Sequence, residues 1–277
     1  LLEIPKHIFP PLHRAGTKLG VISGHGELDG ISVIGVGSHD TASAVAGVPL
    51  NPDKSSAYIS SGTWSLVGLE LDSPVTDVKA LSYNITNEVG VADRIRFIKN
   101  VSGMWLLEES LRYWKSMGLE LSAAQLAHDA NNLPPRQTID TNDPRFAKPG
   151  AMPERIAEYC RETNQTVPST PAEFARCIFD SLAAAYARSL AELEDAAQVK
   201  IREIDIVGGG SSNDLLNQLT ADATGLTVIA GPVEATVMGN LIIQMMSAGW
   251  IASLEEGRSL IAKSVERKVF LPKVERG

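Results

Sequence analysis

The chain has 277 residues, of which 44% are hydrophobic and 21% charged, and its formal net charge is −8. These values are typical of a soluble globular protein with one large domain or two ordinary ones. The acidic balance argues against a broad nucleic-acid surface, no apolar run approaches the roughly 18 residues of a membrane-spanning helix, and no signal peptide opens the chain. We therefore expect a cytoplasmic protein with no nucleic-acid or membrane partner.

The first 20 residues are rich in proline, glycine and basic side chains, which predicts an irregular connector over 1–20. The sequence begins with Leu1 rather than methionine, as though it were cut from a longer chain. Strand-like segments follow at 31–36, 57–59 and 66–71, and the Ser-Gly-Thr turn between the last two predicts a hairpin. Further β-like patches lie at 83–85 and 95–98.

Helical spacing of apolar residues begins near Ser102 and ends at Gly118. A looser, Asn- and Pro-rich section over 131–153 interrupts regular structure. Helices are then predicted over 153–162 and 171–194. Ser169 or Thr170 can cap the second of these, with Pro171 in its first turn and Glu173 following.

The last third reads as strand, loop, helix, strand, loop and helix. Strands are predicted at 204–207 and 226–230, and helices follow Asn213 and cover 235–248. Gly225 supplies the stop of the first helix. This order favours an α/β layer architecture.

Asp40 lies in a turn that follows a strand and opens a helix. A carboxylate in that place can take a proton from a bound hydroxyl, and it can equally cap the helix by accepting backbone N–H bonds. Taken on these letters alone, both interpretations stay open. His39 differs from the other histidines because it adjoins Asp40.

Three glycine-containing turns, at 35–37, 61–63 and 208–211, could approach phosphate groups. Tight strand-to-helix turns also use glycine for purely steric reasons, so the glycines alone leave both a steric and a phosphate-binding role open. Neither G-x-G-x-x-G nor G-x-x-x-x-G-K-[ST] occurs, which argues against a Rossmann dehydrogenase and a P-loop enzyme. Cys160 and Cys177 lack metal-binding spacing, and no protein metal ligand is predicted.

Four runs stand in order along the chain: "GVGSHDTASAVAGVP" (35–49), "YISSGTWSLVGLE" (58–70), "IKNVSGMWLLEESLRYW" (98–114) and "IVGGGSSNDLLNQLTADATGLTVIAGPVEATVMGN" (206–240). Together they resemble the FGGY carbohydrate kinase family, and within it the rhamnulokinases most closely. The resemblance implies an α/β, actin-like (ribonuclease H-like) ATPase domain over 21–277. It implies ATP-dependent phosphorylation of a ketose, foremost L-rhamnulose to L-rhamnulose 1-phosphate.

The resemblance also implies roles for individual residues. Asp40 matches the family's catalytic base, and His39, Thr41 and Asn100 would contact the sugar with it. The ATP-binding positions it implies are Thr63, Glu108, Gly209, Gly210 and Asn213. ATP is the implied phosphate donor, with Mg²⁺ bridging its phosphates mostly through water and the nucleotide.

Two departures accompany this resemblance. Glu108 stands where rhamnulokinases tend to carry glutamine, and an acid there repels phosphate unless it faces ribose or is neutralised. Cys160 and Cys177 keep a spacing for which relatives suggest a disulfide, although a reducing compartment favours two free thiols.

The resemblance further implies that an N-terminal domain is missing, because these kinases hold sugar and nucleotide between two domains. We therefore expect a C-terminal fragment that is inactive alone and whose partner is that absent domain. The alternatives are a kinase of the same family for another sugar or polyol, and a non-catalytic actin-like ATP-binding module.

Overall fold

The computed structural model describes residues 4–51 and 55–273. The strands are β1 Lys18–Val21, β2 Ser32–Ile34, β3 Ser56–Ser61, β4 Trp64–Leu71, β5 Thr86–Val89, β6 Ile95–Ser102, β7 Glu203–Val207, β8 Thr227–Ala230 and β9 Lys268–Phe270. The helices are α1 Asp40–Ala46, α2 Val78–Ser82, α3 Trp105–Ser116, α4 Ala123–Asn131, α5 Met152–Glu162, α6 Pro171–Ala197, α7 Asp214–Thr224, α8 Ala235–Ser247 and α9 Leu254–Ser264.

Seven strands form one sheet in the order β5-β6-β4-β3-β7-β8-β9. β3 pairs in parallel with β7, and β7 with β8, whereas the other neighbours are antiparallel. The five central strands lie in the order β6-β4-β3-β7-β8. If these five are numbered 1 to 5 along the chain, this order is 3-2-1-4-5, and β4 runs antiparallel to the other four. This is the ribonuclease H-like arrangement of actin-like ATPase domains, so the predicted fold class is confirmed. β1 and β2 form a separate, exposed antiparallel pair.

Helices cover both faces of the large sheet. The main core packs the helices of the middle of the chain, above all α6, against alternate strand residues such as Ile59, Phe97 and Ile206. The intervening strand residues, including Tyr58 and Ile98, face α1 and α8. This alternation follows from the two-residue period of a strand and gives the sheet two buried faces.

Helices α1 and α8 cross at very short range. A Cβ atom added to Gly239 in α8 would lie 1.7 Å from the carbonyl oxygen of Ser43 in α1, and one added to Gly47 would lie 2.2 Å from that of Ala235. Side chains at these two positions would push the helices apart. The crossing thus fixes α1, the helix that begins at Asp40, against the body of the domain.

Several local signals act as the sequence predicts. The hairpin is formed by β3 and β4, and the long helix α6 begins with a capping box between Thr170 and Glu173, with Pro171 in its first turn. Asn213 caps α7 by accepting a hydrogen bond from the Leu216 amide, and Gly225 ends the helix.

Other sequence predictions are wrong. The patch at 83–85 is not a strand, because Asp77 caps the short helix α2 and Asn84 then adopts a φ of 55°. β1 begins at Lys18, inside the predicted irregular connector, of which residues 1–3 lie outside the described residues.

Besides α2, the helices α4 and α9 were not predicted, although each has a sequence signal. α4 follows Ser122, whose hydroxyl accepts from the Gln125 amide, and α9 follows Ser253, whose hydroxyl accepts from the Glu256 amide. Both starts carry serine followed three residues later by Gln or Glu, the pattern of a capping box. Within the part of the chain that the structure describes, no helix combines the length and the apolar character needed to cross a membrane.

Candidate functional site

The candidate site lies at the carboxyl ends of the parallel strands β3 and β7. Because Ser60 pairs with Val207, the turn after β3 and the glycine loop after β7 emerge side by side. A Cβ atom on Gly210 would lie 2.0 Å from Ser61 Oγ, and one on Gly208, whose φ is +83°, would lie 2.8 Å from the Ser61 carbonyl oxygen. Glycine at these two positions lets the loop pack directly on β3.

Two cavities open on either side of these turns. The first, the helix cavity, has a volume of about 780 Å³ and lies between α3, α4, α7 and the glycine loop. The second, the sheet cavity, has a volume of about 640 Å³ and contains the start of α1 together with residues of β3 to β6. Gly62 and Gly209 line both cavities, so the two spaces meet at the paired turns.

Asp40 lines the sheet cavity as the first residue of α1, and its side chain is 80% exposed. His39, not Asp40, is the residue that precedes the helix, so the interpretation of Asp40 as the N-cap is wrong. The Oδ1 atom accepts hydrogen bonds from the Thr41 amide at 2.6 Å and the Thr41 hydroxyl at 3.3 Å, and His39 Nδ1 lies 3.4 Å from it. Among the described residues, Oδ2 has no hydrogen-bond partner.

The predicted sugar-contacting residues lie together in the sheet cavity. His39 and Asn100 are exposed there, and Asn100 projects from β6. Thr41 also lines the cavity but is only 6% exposed, so its hydroxyl supports Asp40 more than it reaches outwards.

Two further residues of the sheet cavity were not identified from the sequence. Trp64, at the start of β4, is 56% exposed, and Glu88 lies on β5. Its exposure next to a glycine turn marks Trp64 as a candidate for ligand contact, but the sequence does not show that exposure. Glu88 has no local signal, since the sheet order alone brings β5 to the cavity.

Thr63 and Glu108 meet where the two cavities join. The Thr63 hydroxyl donates to the Glu108 carboxylate, with 3.2 Å to each oxygen. Glu108 lines the helix cavity and Thr63 the sheet cavity. The hydrogen bond therefore links the β3–β4 turn to α3.

The remaining predicted positions line the helix cavity. Gly209 has open space where a Cβ atom would lie, whereas Gly210 is in contact with Ser61. The Asn213 side chain caps α7 through its Oδ1 atom. The wall opposite is mostly apolar and includes Met104, Leu107, Leu111, Ala123, Ala124 and Ala127. All nine residues predicted for the site thus border two adjoining cavities.

Neither a metal cluster nor a disulfide occurs among the described residues. Groups of three or more His, Cys, Asp or Glu side chains that could hold a metal ion are absent there. Cys160 and Cys177 are buried free thiols. A hydrogen bond between them lowers the pKa of Cys160 to about 7 and raises the pKa of Cys177.

Comparison with known proteins identifies the family of this chain. The family model for the C-terminal domain of the FGGY family of carbohydrate kinases matches residues 57–248. The rhamnulokinase of Halalkalibacterium halodurans is 44% identical over 241 residues, covering 87% of this chain and 50% of its own length. That of Enterococcus faecalis is 44% identical over 279 residues, covering 97% and 55%. The chain thus spans about half the length of these curated relatives.

Solved structures show the same fold at low sequence identity. A xylulose kinase from Rhodospirillum rubrum superposes with a TM-score of 0.67 at 17% identity, covering 98% of this chain and 54% of its own. A gluconate kinase from Lactobacillus acidophilus gives 0.69 at 14% identity, covering 98% and 55%. The glycerol kinase of Plasmodium falciparum, solved with ADP, gives 0.66 at 13% identity, covering 94% and 51%. On the extent of the family match, this chain belongs to the FGGY family of carbohydrate kinases.

Proposed function

We propose that this chain is the C-terminal, nucleotide-binding half of a kinase that transfers the γ-phosphoryl group of ATP to a ketose, foremost to O1 of L-rhamnulose. The observation that carries the proposal is the placement of Asp40 in a cavity that adjoins a glycine-lined cavity. The names of the curated relatives support L-rhamnulose as the substrate. Because the chain covers half of those relatives, the proposed partner is an N-terminal domain that closes over the sugar.

In this mechanism Asp40 is the general base. Its Oδ1 atom is held by the amide and hydroxyl of Thr41, so Oδ2 is free to accept the proton of the sugar hydroxyl. The oxygen then forms a bond to the γ-phosphorus as the bond to the β–γ bridging oxygen breaks, which leaves ADP. His39, Thr41 and Asn100 orient the sugar, since positioning and charge stabilisation account for most catalysis of phosphoryl transfer.

The helix cavity fits the nucleoside part of ATP. Its apolar wall suits a base, and the open space at Gly209 lets the backbone approach a ligand closely. At the junction of the cavities, the Thr63 hydroxyl is placed to donate to a phosphate oxygen. Asn213, Gly210 and Glu108 complete the nucleotide side of the proposed site. Mg²⁺ would neutralise charge on the phosphates, held mainly by water and nucleotide oxygens.

The test replaces Asp40 by asparagine in the two-domain kinase. General-base catalysis contributes a factor of about 10² to 10⁴, so kcat for L-rhamnulose should fall by that factor while ATP affinity is retained. Asp72→Asn is the matched control, because Asp72 is also exposed, at 86%, but pairs with Arg94 outside both cavities. Unchanged turnover in Asp40→Asn would refute the catalytic role of Asp40, whereas absence of turnover in the wild-type two-domain protein would favour a non-catalytic ATP-binding module.

A substrate panel on the same protein tests which sugar is used. If L-rhamnulose has the highest kcat/KM, the proposed substrate stands. If another ketose or a polyol exceeds it at least tenfold, the chain is part of a family member with a different substrate.

A further inference from the structure

We propose that Glu88 is a sugar-binding residue that makes the sheet cavity selective for neutral polyhydroxy substrates against sugar acids. This inference rests on the proposed kinase function. It assigns a role to a residue that neither the sequence motifs nor the resemblance to the family singles out.

Glu88 is fixed in place by a buried arginine. It lies opposite Arg96 in the register of β5 and β6, and Arg96 Nη2 donates to Glu88 Oε2 at 2.7 Å. The Arg96 side chain is 3% exposed and that of Glu88 34%, so the cation lies inside and the carboxylate reaches the cavity. A charge-assisted bond of this kind holds the carboxylate in one orientation.

The Arg96 side chain is buried with few hydrogen bonds. Among the described residues its Nε and Nη1 atoms are buried without a hydrogen-bond partner. Burying a guanidinium with most of its donors unused is destabilising unless an ion pair compensates. The pair with Glu88 offsets part of this cost and ties the carboxylate to the buried cation.

A second ion pair lies next to the first one across the sheet, on the neighbouring strand β4. Arg96 lies opposite Glu70 in the β4–β6 register, and Glu70 accepts two hydrogen bonds from Arg258 of α9, at 2.8 and 2.9 Å. Arg258 also donates to the carbonyl oxygens of Val45 and Ala46 at the end of α1. The ion pair next to that of Glu88 thus contacts the carboxyl end of the helix whose first residue is Asp40.

The charges of the sheet cavity point to its ligand. Asp40 and Glu88 line it, and among its described lining residues there is neither lysine nor arginine. Ionised carboxylates are acceptors only, so they pair with the hydroxyl donors of a sugar. Within this half of the site, an anionic substrate would meet two carboxylates and no lining lysine or arginine, since Arg96 lies behind Glu88 and is paired with it. The cavity therefore disfavours an anion. Trp64 adds an exposed apolar surface beside these acceptors.

The test is Glu88→Gln in the two-domain kinase, with Glu192→Gln as the matched control. Glu192 also pairs with a β6 cation, Lys99, and is similarly shielded at 21% exposure, but it lies outside the cavity. In Glu88→Gln we expect KM for L-rhamnulose to rise about tenfold, which corresponds to one lost charged hydrogen bond, with kcat within about twofold. The inhibition constant of L-rhamnonate, the corresponding sugar acid, should fall.

A purely structural role for Glu88 predicts a different outcome. If Glu88 has only a structural role, Glu88→Gln should have a lower melting temperature. Its KM and its preference for the neutral sugar should then match those of Glu192→Gln. That result overturns the proposal. If Glu88→Gln does not fold, Glu88→Leu combined with Arg96→Met removes both charges, and the same loss of preference is expected.

Failure of the kinase proposal can be told apart from failure of this one. If the wild-type protein does not phosphorylate L-rhamnulose, the proposed function fails. The role of Glu88 is then decided by saturation-transfer NMR with L-rhamnulose and L-rhamnonate. A preference for the neutral sugar that Glu88→Gln loses supports the role, and equal signals in wild type and variant refute it.

Discussion

The Thr63 hydroxyl and the Glu108 carboxylate are joined by a hydrogen bond at the point where the two cavities meet, with 3.2 Å from the hydroxyl to each carboxylate oxygen. The bond places a negative charge beside Thr63, whose hydroxyl is proposed to donate a hydrogen bond to a phosphate oxygen of ATP. Unless Glu108 accepts a ribose hydroxyl in the complex, this charge opposes nucleotide binding.

Replacing Glu108 by glutamine should therefore tighten ATP binding, because the substitution removes the negative charge near the phosphates. A unit charge about 6 Å from another contributes roughly 0.7 kcal/mol in water, so relief of repulsion should tighten binding about threefold. The gain should shrink at high salt. Isothermal titration with ATP at two salt concentrations measures it.

The exposed Glu120→Gln is the control for net charge, since Glu120 lines neither cavity. A weaker affinity in Glu108→Gln at both salt concentrations would contradict the repulsion and assign Glu108 to the ribose.

Neighbouring glycines of the loop should respond differently to alanine. In Gly210→Ala the new Cβ atom would lie 2.0 Å from Ser61 Oγ, and overpacking of this kind costs about 1–3 kcal/mol of unfolding free energy. In Gly209→Ala the Cβ atom meets nothing within 4 Å, so stability should be retained while ATP affinity falls about tenfold. Thermal unfolding and ATP titration of both variants separate the two effects, and unaltered ATP affinity in Gly209→Ala would remove this loop from the nucleotide site.

The helix crossing should link packing to catalysis. In Gly239→Ala the Cβ atom would clash with the Ser43 carbonyl oxygen, which belongs to the same short helix as Asp40. Displacement by 1 Å can cost about 10²-fold in rate, so kcat should fall at least tenfold beyond any loss of folded protein. Gly20→Ala is the control, because its Cβ atom has open space. Normal kcat in a folded Gly239→Ala protein would show that the crossing does not position Asp40.

The capping box of α6 should make stability depend on pH. Hydrogen bonds from Ser169 hold the pKa of Glu173 below its ordinary value. A carboxyl group whose pKa is lowered in the folded state stabilises it fully above the ordinary pKa, and this is lost as pH falls through the folded-state pKa. Thr170→Ala should cost about 1 kcal/mol at pH 7.

Glu173→Gln should instead flatten the decline of the melting temperature between pH 5 and pH 3, where the ordinary glutamate pKa of about 4.3 lies. The exposed Glu158→Gln in α5 is the control. If the melting temperatures of Glu173→Gln and of the wild type fall in parallel between pH 5 and pH 3, the capping box does not cause the pH dependence.

The sequence predicted those features whose causes are local. Thr170 and Glu173 lie three residues apart and act on one helix turn, and Gly225 ends the helix in which it stands. Ser122 and Ser253 have signals of the same kind, and attention to their capping patterns would have located α4 and α9.

The sheet cavity was only partly predictable because its geometry is set by the order of the strands in the sheet. Glu88 reaches the cavity through pairing of β5 with β6, and Arg96 defines its orientation from a buried position. No spacing along the chain encodes that relation. Asp40 was found through its turn and the family resemblance, whereas its relation to α8 depends on a crossing between helices almost 200 residues apart in sequence.

The 277-residue chain should be inactive on its own. In the part of the chain that the structure describes, Asp40 is 80% exposed, so water reaches the proposed base. Closure between two domains excludes water and aligns the reacting groups, and we therefore expect no measurable turnover of L-rhamnulose in a coupled assay. ATP should still bind weakly, because Gly209 and Thr63 are part of this chain. Turnover by the purified chain would show that Asp40 needs no second domain, and a titration without heat or spectral change would show that the helix cavity alone does not hold the nucleotide.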